Sequence, residues 1–163
     1  MLALTIIEVI KLINTKKLSS GFGILKVITF CSLTFLTYKP WITHQFIEKA
    51  DWTLFYNKRI DIVEQIKTGK LECQGNQGYA LCELPFEFPI LSNGGNDIII
   101  YRNQTNSSVT VTFFVFRNFF EAPSIHLVYS NDIGQIGQLE QMVLHNPKNN
   151  WKIKDNWYRT SGQ

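Results

Sequence analysis

Two cysteines lie on either side of the Gly-Asn-Gln-Gly segment 75–78. With a turn centred on residues 77–78, the thiols of Cys73 and Cys82 would face each other across a hairpin at a distance that suits a disulfide. The alternatives are two unpaired small core residues, or one exposed thiol. A redox pair fits less well, because the spacing is not Cys-x-x-Cys.

Ser124, Ser130 and Asp132 lie close to His126 in the sequence. Serine, histidine and aspartate are the residue types that a hydrolase could use. No Gly-x-Ser-x-Gly nucleophile motif accompanies them. The three histidines of the chain do not have the spacing of metal ligands either. We therefore predict no catalytic, cofactor-binding or metal-binding residues and expect that the protein is not an enzyme. A small envelope hydrolase is an alternative.

Two segments are candidates for an interaction surface. The run of turn formers Asn93, Gly94 and Gly95 has backbone amides that could hold an anion. A tight turn before a strand explains the same residues, and the Gly-Lys-Ser/Thr of a P-loop is missing. Phe119 and Phe120 precede Glu-Ala-Pro, a loop context, so we expect an exposed apolar patch or contact with a membrane there.

Composition narrows the classes of protein. Charged residues make up 18% of the 163 residues and aromatic residues 13%. A chain with so little charge and so many aromatic side chains can bury a core, which argues against disorder. The net charge of +3 does not suggest a nucleic-acid partner, because such proteins concentrate basic residues on one face.

An apolar segment at residues 21–42 is the strongest pattern near the N-terminus, and no charge lies between Val27 and Tyr38. A transmembrane helix needs about 20 mostly apolar residues. Lys26 would reach the lipid headgroups, and Trp41 suits the membrane interface. The alternatives are a buried core helix and a cleaved signal peptide, for which a small-residue cleavage site is missing.

The distribution of lysines predicts the orientation of this segment. Lys11, Lys16, Lys17 and Lys26 lie before this segment or near its start. Lys39 and Lys49, towards and beyond its end, are accompanied by Glu48 and Asp51. This asymmetry favours a cytoplasmic N-terminus. We therefore divide the chain into a cytoplasmic or interfacial lead (1–20), a single-pass anchor (21–42) and an extracytoplasmic domain (43–163). The expected partners are the lipid bilayer and an envelope protein.

The domain is predicted to begin with a long helix, because apolar residues recur at steps of three and four over residues 43–67. The period then changes to two. Strands are expected over 97–102, 109–117, 124–130 and 150–160, with a hairpin over 73–84 and a short helix over 136–145. Strands that follow a helix favour an α+β fold with an antiparallel sheet of about four to six strands. The strand at 109–117 is expected at its centre, with the long helix on one face.

The first residues, Ala-Leu-Thr-Ile-Ile-Glu-Val-Ile at 3–10, resemble the head of type IV pilins and pseudopilins. In that family a glutamate in a Thr-Leu-Ile-Glu run assists subunit docking. The resemblance implies that Glu8 is its counterpart and that the chain is a pilin-like or pseudopilin-like assembly subunit.

Further motifs are similar to those of small bacterial membrane-anchored proteins without assigned function. They are Leu-Pro at 84–85 and the segments 91–95, 113–117, 128–132 and 156–158. This resemblance implies a bacterial cell-envelope setting and no particular activity. The expected function is therefore a membrane-anchored, non-enzymatic binding or structural module of the cell envelope.

Overall fold

A computed structural model describes residues 21–38, 40–71, 73, 78–85, 89–117 and 124–162. Within them, three helices and six strands form an α+β fold, as predicted. Their order is α1 (Gly21–Tyr38), α2 (Pro40–Lys67), β1 (Tyr79–Glu83), β2 (Asp97–Arg102), β3 (Val109–Phe116), β4 (Ser124–Ser130), α3 (Ile133–His145), β5 (Trp151–Lys154) and β6 (Trp157–Gly162). The chain divides into two compact units, residues 1–50 and 51–163.

The first unit contains α1 and the beginning of α2. Pro40 opens α2 at a first-turn position, where its missing N–H costs no helical hydrogen bond. Large apolar side chains of α1 are 49% to 59% exposed, namely Ile24, Leu25, Ile28, Leu33 and Phe35. None of the helices in the described residues combines the length and apolarity needed to cross a membrane. The lead predicted at 1–20 lies outside the described residues.

The second unit is built on one six-stranded antiparallel sheet with the order β1-β2-β3-β4-β6-β5. Strand β3 lies in its interior, as predicted. Its Phe113 is opposite Ile98 of β2 and Leu127 of β4, so that apolar side chains from three strands share one face. This face forms the main core of the unit.

Helix α2 covers that face with Ile62, Val63 and Ile66, which are all buried in the same cluster as the strand residues. Trp157 lies within this cluster, with its ring centroid 5.3 Å from Trp52 and 6.0 Å from Phe113. The long helix therefore packs on the sheet as expected.

Helix α3 covers part of the opposite face of the sheet. Its Leu139 and Val143 pack against Val128 and Tyr158. The helix begins at Ile133, three residues before the predicted start at 136. Asp132 accounts for the difference, because its side chain accepts a hydrogen bond from the Gln135 amide and caps the helix.

One strand prediction is wrong and one stays a prediction. Of the hairpin predicted over 73–84, residues 74–77 lie outside the described residues, and the described strand β1 pairs with β2, which extends the buried face of the sheet. The strand predicted over 150–160 is a hairpin of β5 and β6. Asn156 at its turn has φ +65°, a left-handed conformation that asparagine tolerates better than most residues.

A buried arginine joins α2 to the loop that precedes β2. Arg59 is fully buried, and its Nε and Nη2 donate to the Leu91 carbonyl at 3.1 and 2.7 Å. Its Nη1 lies 2.7 Å from Asp51 Oδ2, and the guanidinium stands 5.5 Å from the Phe113 ring centroid. Because arginine keeps its charge in proteins, these partners must replace the water that the guanidinium has lost.

Replacing Arg59 by methionine is expected to lower the free energy of unfolding by about 3 kcal/mol. The change leaves the Asp51 carboxylate and the Leu91 carbonyl without their buried donor. Denaturation in urea, followed by tryptophan fluorescence, measures the loss. The matched control Lys58→Met, at an exposed neighbouring position, should stay within about 0.5 kcal/mol of the parent protein. Equal stability of the two variants would contradict the role assigned to Arg59.

Candidate functional site

The candidate loop residues Asn93, Gly94 and Gly95 are exposed at a turn before β2. The side chain of Arg117 lies across them, with Nη1 3.3 Å from the Gly94 carbonyl and 3.0 Å from Asp97 Oδ2. Gly94 has φ +96°, a backbone conformation that residues other than glycine rarely adopt, and a Cβ added there would stand 2.7 Å from Arg117 Cδ. The positive charge beside the loop is thus paired with Asp97, an arrangement that fits a structural turn better than an anion site.

The same turn is held from inside by Asn96, whose φ is +64°. Its Oδ1 accepts hydrogen bonds from the amides of Leu91 and Ser92 at 2.7 and 3.1 Å. Ser92 is fully buried, and its hydroxyl accepts from the Phe114 amide at 2.9 Å. The turn is therefore fastened to β3 and has little freedom to close around a ligand.

Phe119 and Phe120, the other part of the predicted interaction surface, lie outside the described residues. A different apolar patch is exposed on the face of β1 and β2 that points away from α2. Leu81, which is 59% exposed, stands opposite Ile99, and the Tyr79 ring lies 5.2 Å from the Tyr101 ring. In the sequence, this patch is indicated by apolar residues on both faces of β1 and β2.

A disulfide joins Cys73 to Cys82, with the two Cα atoms 5.4 Å apart. Cys82 is buried in the main core, and Cys73 packs against it. The bond ties the segment that follows α2 to the edge strand β1. Among the described residues, Cys31 on α1 is a free and exposed cysteine.

In the described residues His126 forms no hydrogen bond with Ser130 or Asp132 of the hydrolase alternative, whereas Ser124 lies two residues before it on the same face of β4. His126 packs edge-on against the Phe114 ring at 5.0 Å between centroids. Burial, and after it the charge of Arg159, lowers the pKa of His126, so the ring is neutral at pH 7. Ser130 lies four residues further along β4, about 13 Å away, and its hydroxyl is 2.8 Å from that of Thr110.

Asp132 is used for structure. Ser108 Oγ and Asn103 Nδ2 lie 2.5 and 2.7 Å from its Oδ2, and the Gln135 amide donates to its Oδ1 at 2.9 Å. The Ser108 hydroxyl, then the Gln135 amide and the Asn103 side chain, lower the pKa of Asp132 to about 2. A carboxylate held in this way stabilises the start of α3, and its hydrogen bonds come from Ser108, Asn103 and Gln135 rather than from His126.

A cavity of about 380 Å³ lies within the second unit, beside the disulfide. It was not predicted, because its lining comes from three separate segments of the chain. The lining residues are Gly69, Leu71, Cys73, Gly78, Tyr79, Ala80, Ile100 and Arg102. Arg102 is the charged residue in this set, and none of these lining residues is a carboxylate or a histidine.

Among the residues that the structure describes, no three His, Cys, Asp or Glu side chains are grouped so that they could hold a metal ion. No family model, curated protein or solved structure matches the chain. Functional inference therefore rests on the residues and their geometry.

Acid stability tests the role of Asp132. Its folded pKa of about 2 lies below the unfolded value of about 4, so the unfolded state binds more protons between these two pH values. The stability that the carboxylate contributes is complete above about pH 4 and is lost as the pH falls to about 2. Thermal unfolding of Asp132→Asn should show a lower Tm at pH 7 and a smaller decline of Tm across that acid range.

The exposed carboxylate of Asp155, at the turn between β5 and β6, gives the matched control Asp155→Asn. This control should keep the parent dependence of Tm on pH. The same decline of Tm in Asp132→Asn as in the parent protein would show that Asp132 does not contribute in the way described.

Proposed function

We propose that this chain is a single-pass membrane-anchored protein whose domain lies outside the cytoplasm and serves as a non-enzymatic binding or structural module of the cell envelope. The proposal rests on the disulfide between Cys73 and Cys82. Such bonds persist in oxidising compartments and are rare in the cytosol, where thiols are kept reduced.

Helix α1 supports the proposed anchor by the chemistry of its surface. Its exposed side chains are largely apolar, an arrangement that suits lipid better than water. With 18 residues it is about 27 Å long, so the proposed anchor at 21–42 also includes the first residues of α2. The lysines before and at the start of α1 favour a cytoplasmic N-terminus.

The assignment as a non-enzymatic module is supported by the way that the polar side chains are used. Arg59 binds the Leu91 carbonyl, Asn96 closes the turn before β2, and Asp132 caps α3. Each of these groups completes a structural hydrogen-bond set. These three polar side chains are thus used to hold the fold together.

Reporter fusions test the proposed topology. Alkaline phosphatase fused after Gln163 is expected to be active, and green fluorescent protein at the same place should be dark, because the two reporters fold on opposite sides of the membrane. Fusions made after residue 20 give the matched control and should show the reverse pattern. Fluorescence without phosphatase activity after Gln163 would contradict both the orientation and the compartment.

A pilin-like subunit is the second candidate. In addition to the resemblance at residues 3–10, α2 exposes large apolar side chains: Phe46 is 75% exposed and Leu54 is 71% exposed. Exposed apolar residues on a long helix are suited to packing against other subunits. N-terminal sequencing of the protein from purified membranes tests this candidate. Processing before Leu4 is expected for a pilin-like subunit, and an intact Met1 would contradict it.

A further inference from the structure

The cavity of the second unit has the size of a small-molecule site. Its volume of about 380 Å³ falls at the lower end of the range of about 300–1,000 Å³ that is usual for such sites. Glycines border it in two places. Gly69 has φ +71°, and a Cβ added there would meet no atom within 4 Å.

Among the lining residues that the structure describes, Arg102 is the charged one. Its Nη2 donates to the Ile66 carbonyl near the end of α2, at 2.7 Å. This contact uses one of the five N–H groups of the guanidinium. Within the described residues, no carboxylate forms a salt bridge with Arg102. The half-buried guanidinium is thus held in place by one carbonyl and has donors left for a second acceptor.

The other lining side chains are mainly apolar, and polar atoms make up about half of the cavity surface as a whole. Leu71 and Ala80 are half-buried, Ile100 is 5% exposed, and Cys73 is in the disulfide. At the edge of the cavity, a Cβ added to Gly78 would stand 2.6 Å from the Arg102 carbonyl oxygen. Glycine at this position therefore allows the start of β1 to approach β2 closely, beside Arg102.

We infer that the cavity binds a small organic monoanion, a carboxylate attached to an apolar body. The planar fork of a guanidinium matches the two oxygens of a carboxylate and forms paired, charge-assisted hydrogen bonds with them. A single positive charge matches a single negative one, and the apolar walls suit the rest of the ligand. The inference rests on the proposed function in that it treats the domain as a binding module, but it does not require the proposed location.

The alternative is that Arg102 only caps α2. A cation near the C-terminal end of a helix is favourable because it faces the unpaired carbonyls and the negative end of the helix dipole. A purely capping arginine would influence stability and would give the cavity no preference for a carboxylate over its uncharged analogue.

Titration of the ¹⁵N-labelled full-length chain, followed by NMR, distinguishes a carboxylate-binding cavity from an Arg102 that only caps α2. The probes are phenylacetate, its uncharged analogue phenylacetamide, and inorganic phosphate. Phenylacetate is expected to shift the amide signals of Gly69, Gly78 and Arg102 in a saturable way, whereas phenylacetamide should bind at least roughly tenfold more weakly because it lacks the charge-assisted pair. Phosphate also offers paired oxygens but lacks an apolar body, so it should bind at least roughly tenfold more weakly than phenylacetate.

Two variants probe the charge and the space separately. Arg102→Gln keeps a donor for the Ile66 carbonyl and removes the charge, and it should weaken phenylacetate binding by roughly tenfold or more. Ala80→Leu fills the cavity and should abolish binding without a change of charge, which keeps the test decisive if Arg102→Gln does not fold. Lys70→Gln, which removes an exposed positive charge close to the cavity but not in its lining, is the matched control and should bind as the parent does.

Equal binding of phenylacetate and phenylacetamide would overturn the inference, and so would the absence of saturable shifts with phenylacetate. Phosphate binding at the same amides in place of phenylacetate would overturn the assigned ligand class. Because the titration uses purified protein, its outcome is independent of the reporter fusions. A failed topology would thus be distinguishable from a failed ligand assignment.

Discussion

The charge of Arg59 is buried where α2, the turn at 91–96 and β3 meet, and the surrounding elements are arranged to satisfy it. The Leu91 carbonyl accepts two of its donors, and the Leu91 amide is in turn held by Asn96. Ser92 then joins the turn to the Phe114 amide of β3. A continuous series of hydrogen bonds therefore runs from helix to turn to sheet. Apolar packing alone would leave the position of the helix along the sheet less defined, because hydrophobic contacts are not directional.

Much of this fold follows from periodicity in the sequence. The bounds of β2 and β4 and most of β3 can be predicted, since half-buried strands alternate and the second half of α2 repeats at helical spacing. The burial of Arg59 cannot be predicted, because the apolar pattern of an amphipathic helix alone would place a charged residue on the solvent-facing side. The partner of β1 is not predictable either, since pairing with β2 is decided by the shared core face. The sequence does contain local signals for two further features. Asp132 is a residue type that caps a helix and so indicates the start of α3, and Asn156 is a turn residue that indicates the hairpin of β5 and β6.

The candidate functional sites also differ in how far the sequence predicts them. Cys73 and Cys82 can be named from the sequence, and their Cα atoms are 5.4 Å apart, as a disulfide requires, whereas the pairing of β1 with β2 depends on distant parts of the chain. The loop at Asn93, Gly94 and Gly95 is predictable as a turn, and its contact with Arg117 is not. The cavity at Arg102 could not be predicted, since residues from the end of α2, from β1 and from β2 form it only after the sheet has assembled.

The proposed location outside the cytoplasm depends on the bond between Cys73 and Cys82, and the state of these thiols in cells tests it most directly. Cells are lysed directly into a denaturant that contains a light maleimide, so that buried thiols also react, and the protein is then reduced and labelled with an isotopically heavy maleimide before mass spectrometry. We expect both cysteines to carry the heavy label, because the disulfide protects them until reduction. Light label on both Cys73 and Cys82 would show free thiols and would contradict the proposed compartment.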